Sequence, residues 1–271
     1  MRDDIADLVT RRPLPGPRLP GLDPFLFLNH HGPQTYPPNN HGLPFGPHPH
    51  RGFETVTFIL EGELSHLDSG GHESIIGEGG VQWMTAGRGL VHAELSPERF
   101  KKSGGPLEIL QLWVNLPAAL KMTTPAYRGL QGEEIPAVDA DDGRVRIEAV
   151  SGTWDGIKGP FASLTGIEMA VVRLAAGGRI ELPIARGRTV FCYVVRGEAK
   201  VGETAAPAFN LAELSDGDAV SLSADQETVV LLGHADAIGE PVVAHGPFVM
   251  NTQEEIVQAI RDYQAGRFGG L

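Results

Sequence analysis

The chain is short of cysteine, of positive charge and of long apolar runs, and each shortage closes off a class of protein. Cys192 is the single cysteine, so no disulfide can form within the chain and a cysteine-rich zinc site is excluded. Its neighbours Val190, Phe191, Tyr193 and Val194 mark it as a small buried hydrophobe rather than a reactive thiol. Lysine and arginine number 22 against 34 acidic residues, a formal charge of −12 at pH 7, which argues against broad contact with nucleic-acid phosphates. No apolar stretch approaches the roughly 20 residues that span a bilayer. The opening Met1-Arg2-Asp3-Asp4 lacks the apolar core of an export signal, so a cytoplasmic protein is expected. Histidine is scarce only in the second half: of ten, eight lie between His30 and His92. Any imidazole chemistry therefore belongs to the first half.

Glycine and proline are abundant, 35 and 21, which favours a turn-dense β fold over a helical one. After fifty loop-like, proline-rich residues, broken by the apolar run 25–28, β-branched and aromatic segments suggest strands at 53–60, 75–76, 81–84, 90–94 and 107–116. Strand signals resume at 145–147, 169–174, 190–195, 219–222 and 228–232. The expected organisation is an all-β chain with a first domain over 1–118, a connection over 119–143 and a second domain over 144–271.

The halves resemble each other. Tyr193-Val194-Val195-Arg196-Gly197-Glu198 mirrors Phe58-Ile59-Leu60-Glu61-Gly62-Glu63. Leu214-Ser215-Asp216-Gly217-Asp218-Ala219-Val220 mirrors Ile76-Gly77-Glu78-Gly79-Gly80-Val81-Gln82. Gly197 against Gly62 and Gly217 against Gly79 give offsets of 135 and 138, as one architecture used twice would. The chain closes on a predicted helix. Asn251 is its expected cap, Glu254 stands three residues on, Ile256, Ile260 and Tyr263 form an apolar face, and Gly266 is a stop.

His48 and His50 flank Pro49, and Glu54 follows four residues later. Side chains alternate along a strand, so an extended backbone would turn 48, 50 and 54 to one side, and His92 with Glu94 to one side of another strand. Neutral imidazoles and a carboxylate on an apolar inner face are costly unless paired or ligating. Three histidines and one carboxylate leave positions open on an octahedral ion, where a substrate or dioxygen could bind. Spacing alone admits either Glu54 or Glu94 as the carboxylate. His30 and His31 are expected to leave a strand for a turn and to serve structural hydrogen bonds. His41, His66 and His72 are read as glycine-rich loop residues without a role. Gln111 and Trp113 share a strand face that could border the pocket, with ordinary packing the default for Trp113.

These motifs resemble a known family. Gly42, His48, His50 and Glu54 match the first cupin motif, and Gly89 with His92 the core of the second. The longer stretches His48-Pro49-His50-Arg51-Gly52-Phe53-Glu54-Thr55-Val56-Thr57 and Gln82-Trp83-Met84-Thr85-Ala86-Gly87-Arg88-Gly89-Leu90-Val91-His92-Ala93-Glu94 are similar to pirin signatures. Leu22-Asp23-Pro24-Phe25 and Gly246-Pro247-Phe248-Val249-Met250-Asn251-Thr252 resemble pirin segments near the two ends. The resemblance implies a bicupin, two double-stranded β-helix (jelly-roll) barrels with a short C-terminal helix and metal in the first barrel only. It implies the ligands His48, His50, His92 and Glu94, with Glu94 also the catalytic base and Glu54 outside the metal's own shell. The implied ion is one Fe(II) per chain, with zinc, copper and nickel as alternatives. Two activities follow from the family. One is dioxygenase cleavage of flavonols such as quercetin, with a small aromatic substrate. The other is a non-enzymatic, iron-dependent regulatory role, binding a transcription factor or a metabolic enzyme. Neither involves nucleic acid directly or a membrane. In the second half the offsets carry the ligand positions to Pro183, Ala185, Val230 and Leu232, none of which binds metal, and His234 and His245 are expected at the surface.

Overall fold

The computed structural model describes residues 2–215 and 217–271, so Asp216, in the second matched turn, lies outside the described residues. The first half contributes strands β1 (Thr10–Leu14), β2 (Phe25–Tyr36), β3 (Phe45–His50), β4 (Phe53–Glu61), β5 (Glu63–Asp68), β6 (Glu73–Gly77), β7 (Val81–Thr85), β8 (Leu90–Leu95), helix α1 (Glu98–Ser103), β9 (Gly105–Asn115) and β10 (Ala126–Leu130). The second contributes β11 (Ala137–Ala140), β12 (Val145–Ser151), β13 (Thr153–Trp154), β14 (Ile157–Lys158), β15 (Glu168–Leu174), β16 (Arg179–Pro183), β17 (Thr189–Arg196), β18 (Glu198–Val201), β19 (Thr204–Pro207), β20 (Leu211–Leu214), β21 (Ala219–Ser223) and β22 (Thr228–Ala235). The hairpin β23 (Val243–His245) and β24 (Phe248–Met250) and helix α2 (Gln253–Gln264) follow.

Two compact units result, Met1–Glu133 with Ile238–Leu271, and Glu134–Ala237. The first pairs a six-stranded sheet, β1-β2-β9-β4-β7-β10, with a four-stranded one, β3-β8-β5-β6. The second repeats the plan with β11-β12-β15-β22-β17-β20 and β16-β21-β18-β19. Each is a cupin barrel, as expected for an all-β bicupin. The second barrel is filled by apolar side chains, among them Val172, Leu182, Cys192, Leu222, Val230 and Leu232. Among the described residues no helix is long and apolar enough to cross a membrane.

The shared strand order confirms the first matched turn and corrects the second. Residues 76–82 lead from β6 into β7, whereas 214–220 lead from β20 into β21, the counterparts of β7 and β8. The strands β18 to β20 are shorter than β5 to β7, so the offset shrinks along the barrel. An offset of 138 therefore carries His92 and Glu94 one strand too far, to Val230 and Leu232 of β22, the counterpart of β9. The strands in the places of β3 and β8 are β16 and β21, and neither contains a histidine.

Other expectations shift as well. The opening is not mostly loop: β2 runs for twelve residues through His30 and His31, with a register break between His31 and Gln34 that accommodates Gly32-Pro33. The region 119–143 contributes edge strands, β10 to the first unit and β11 to the second. Residues 238–271, expected with the second domain, make their contacts with the first unit. Phe248, Met250, Ile256, Ala259 and Phe268 pack there on Val91 of β8. The helix cap is Thr252 rather than Asn251: its hydroxyl accepts from the Glu255 amide at 3.2 Å, and the Glu255 carboxylate accepts from the Thr252 amide at 3.0 Å. The Asn251 amide is used elsewhere, donating to Glu240 and the Pro241 carbonyl. The buried face is Ile256, Ala259 and Asp262, which leaves Tyr263 exposed.

Candidate metal centre

Antiparallel pairing of β3 with β8 sets His48 opposite His92 and His50 opposite Leu90, so all three histidines point to one side. Their ring centroids lie 4.3 Å (His48–His92), 4.8 Å (His48–His50) and 4.9 Å (His50–His92) apart. One ring nitrogen of each falls within 4.8 Å of the others. The orientation is set from behind. The Nδ1 of His48 lies 2.7 Å from the Gly46 carbonyl, and that of His50 lies 3.3 Å from the Pro247 carbonyl. A carbonyl can only accept, so Nδ1 carries the proton in both rings and Nε2 keeps its lone pair. His92 is buried and neither of its ring nitrogens has a hydrogen-bond partner. Burial, with His50 and His48 close by, holds His92 well below the usual imidazole range. Burial beside His48 pushes His50 down to about 3. Buried imidazoles that stay neutral, with lone pairs converging, are the form in which histidine binds metal. The unmet nitrogens of His92 would otherwise cost stability, and a shared cation on one of them relieves that cost. The residues present fit a metal.

Glu94 is buried on the same side of β8 as His92 but stands outside the histidine group. Its carboxylate accepts from Thr57 Oγ1 at 3.2 Å, from Gln82 Nε2 at 2.5 Å and from Gln111 Nε2 at 2.5 Å. Glu54 points elsewhere. Gly52, at φ 89°, ends the regular strand after His50, so parity does not carry from His50 to Glu54. Glu54 accepts from Thr85 Oγ1 at 2.6 Å, and alternation along β4 and β7 puts both on the opposite face from Thr57 and Gln82. Burial pushes its carboxyl up, against the hydrogen bond from Thr85.

Gln111 and Trp113 both border the site. The Trp113 ring lies 5.2 Å from His50, 4.5 Å from Phe53 and 4.7 Å from Phe27, and its indole donates to Gln111. Beyond it opens a cleft of about 820 Å³ lined by Phe25, Phe27, Trp113, Val242, Val249 and Arg12, among others. His30 and His31 are structural, bonded to Glu108 and Thr10.

His66 was overlooked by sequence reasoning. It is a buried residue of β5, opposite Glu94 in the pairing, with Nε2 3.0 Å from Asp68. Its ring lies 5.5 Å from His92 and is stacked on Tyr127 at 3.9 Å. The alternation of Leu64, His66 and Asp68 as inward residues was the available signal, hidden by the glycines at 70 and 71. His72 also binds Asp68, while His41 is exposed. His234, in β22 of the second unit, corrects the surface expectation, being buried with its ring 5.3 Å from Trp154, whereas His245, in β23 of the first unit, is exposed.

Comparison with known proteins gives this geometry a family. Residues 7–114 match the family model Pirin, and residues 169–269 match the Pirin C-terminal cupin domain. The chain belongs to the pirin family. A pirin-like protein of Caulobacter vibrioides is 42% identical over 98% of this chain and 94% of its own length. Mouse pirin is 39% identical, covering 96% of this chain and 87% of its own. The crystal structure of a quercetin 2,3-dioxygenase from Acinetobacter baumannii superposes with a TM-score of 0.90 at 35% identity, covering 97% of this chain and 92% of that one. Among pirins this chain thus combines the cupin pair with a three-histidine cluster in its first barrel.

Proposed function

We propose that this pirin is a metal-dependent dioxygenase of flavonol-like substrates, with Fe(II) held by His48, His50 and His92 and with Glu94 as fourth ligand and proton acceptor. The observation that carries the reading is the convergence of three buried or half-buried imidazoles, two presenting Nε2 and the third with both nitrogens unmet. A bound transition ion supplies Lewis acidity toward a hydroxyl–carbonyl chelate and redox chemistry toward dioxygen. The chain's own residues do the rest. Thr57, Gln82 and Gln111 fix the Glu94 carboxylate, which takes the proton from the substrate hydroxyl. Phe27, Phe53 and Trp113 offer flat apolar surface to an aromatic ring system. The quercetin 2,3-dioxygenase relative, 35% identical, supports this substrate class.

The test is oxygen uptake by anaerobically iron-loaded protein offered quercetin, other flavonols and catechols. Uptake matched to loss of flavonol is expected, and none from His92→Ala. Folded, iron-loaded protein that consumes no oxygen with any of them would sink the enzymatic reading and favour a role in binding another protein.

A further inference from the structure

The strand that carries His48 and His50 passes from its sheet into a segment held by other contacts, the first being the Gly52 amide donating to the Gly87 carbonyl at 2.8 Å. Pairing with β8 stops at His50, and Arg51 and Gly52 leave the sheet. What meets them is the C-terminal segment. The Val249 amide donates to the Arg51 carbonyl at 3.0 Å, and the Arg51 amide to the Pro247 carbonyl at 3.3 Å. The approach is so close that a Cβ on Gly52 would stand 2.0 Å from the Val249 carbonyl oxygen. Lys121 is buried beneath, its ammonium donating to the Gly52 carbonyl at 2.9 Å, the Val249 carbonyl at 3.1 Å and Asn115 Oδ1 at 2.6 Å. The buried Arg51 side chain reaches the Arg88 carbonyl at 2.6 Å, ahead of β8, and Asp262 of α2 at 2.8 Å, and lies over the Phe268 ring at 4.6 Å. Asp262 is itself held by Gln258 and Arg267.

We propose that residues 243–250 and α2 form a positioning element for the histidine centre. Through the Pro247 carbonyl they set the ring of His50, and Asp262, acting on Arg51, is the positioning residue that locks them in place. The His50–Pro247 bond is long, 3.3 Å, so its geometry depends on how firmly the segment is seated. The seating is supplied by a buried, hydrogen-bonded ion pair, and removing the Asp262 charge leaves the Arg51 guanidinium without its ionic partner in the interior. This inference rests on the metal reading above for its first measurement only.

The experiment compares wild type with Asp262→Asn, with the charge-keeping Asp262→Glu, and with Leu222→Ala, which weakens the second barrel without touching the clasp. Arg51→Lys, which keeps the charge but loses the planar fork, is the milder break should Asp262→Asn not fold. Two quantities are read: Co(II) affinity with its visible spectrum, and the His50 tautomer in metal-free protein from long-range ¹H–¹⁵N spectra. For Asp262→Asn, or for Arg51→Lys if that is the variant that folds, Co(II) affinity falls about tenfold, the range of an outer partner. Its visible bands shift, and the Nδ1–H preference of His50 is lost. Asp262→Glu restores most of both, and Leu222→Ala changes neither. An unchanged His50 tautomer with Co(II) affinity within twofold of wild type overturns the proposal. If wild type binds no Co(II), the metal reading fails, and the tautomer measurement still decides the positioning claim.

Discussion

Glu54 and Glu94 are both buried carboxylates, and their surroundings assign them different work. Three side-chain donors converge on Glu94 on the histidines' side of the sheet, while Glu54 meets Thr85 on the other face. Glu94→Gln is expected to lower metal content and to cut flavonol turnover by ~10²–10⁴-fold, the usual worth of a positioned base. Glu54→Gln is expected to keep the metal and lose at most roughly 10–100-fold, the worth of a partner outside the metal's own shell. Metal analysis and turnover on the two folded variants check this, and metal lost from Glu54→Gln but kept by Glu94→Gln would reverse the assignment. The histidine trio was legible because His-x-His on one strand and a histidine two residues before a glutamate on another survive any error of a residue or two in strand ends. The face of Glu54 was not, because it hangs on one dihedral angle at Gly52.

The hairpin of β5 and β6 turns on a single carboxylate. Asp68 accepts from the Gly70 amide at 2.8 Å, the His72 amide at 3.2 Å, His72 Nδ1 at 3.0 Å and His66 Nε2 at 3.0 Å. Burial opposes its ionisation, but the bonds from His66 and His72 outweigh burial and hold the carboxyl down to about 2. An unfolded aspartate titrates near ~3.9. The contribution of Asp68 is therefore fully present above that value and is lost as pH falls toward 2, because the unfolded chain takes up the proton first. Urea unfolding of metal-free protein at stepped pH should show wild type losing more stability between pH 4 and 2 than Asp68→Asn. Parallel curves would refute this account of the turn. Turn chemistry was readable in Ser69-Gly70-Gly71, but not that the strand leading into it buries His66. Likewise the cap of α2 moved from Asn251 to Thr252, since either side chain can cap and only packing decides which is free.

Across the whole molecule, the twofold use of one strand order was readable from Gly62 and Gly197, and the three-histidine site occurs in the first barrel. The expected stoichiometry is one transition metal per chain in protein grown on iron-rich medium. A metal that binds only the folded barrel adds about 2.7 kcal/mol at a hundred times its Kd. Chelation should therefore lower the Tm of wild type and leave that of His92→Ala unchanged. A chelator response that persists in His92→Ala, or two metals per chain, would locate binding elsewhere. The allegiance of residues 238–271 was not legible, because an apolar helix face states that it will be covered and not by what. Its partner, Val91, lies more than 140 positions earlier on the chain, and no local pattern links the two.

That return of the chain's last segment to its first barrel bears on biosynthesis. A ribosome releases His48, His50 and His92 well before Pro247 and Asp262, so the nascent first barrel exposes its imidazoles without the carbonyl that orients one of them. The second barrel must also be translated before the clasp can close. Completion of the centre thereby waits on synthesis of residues 247–262, after the second barrel.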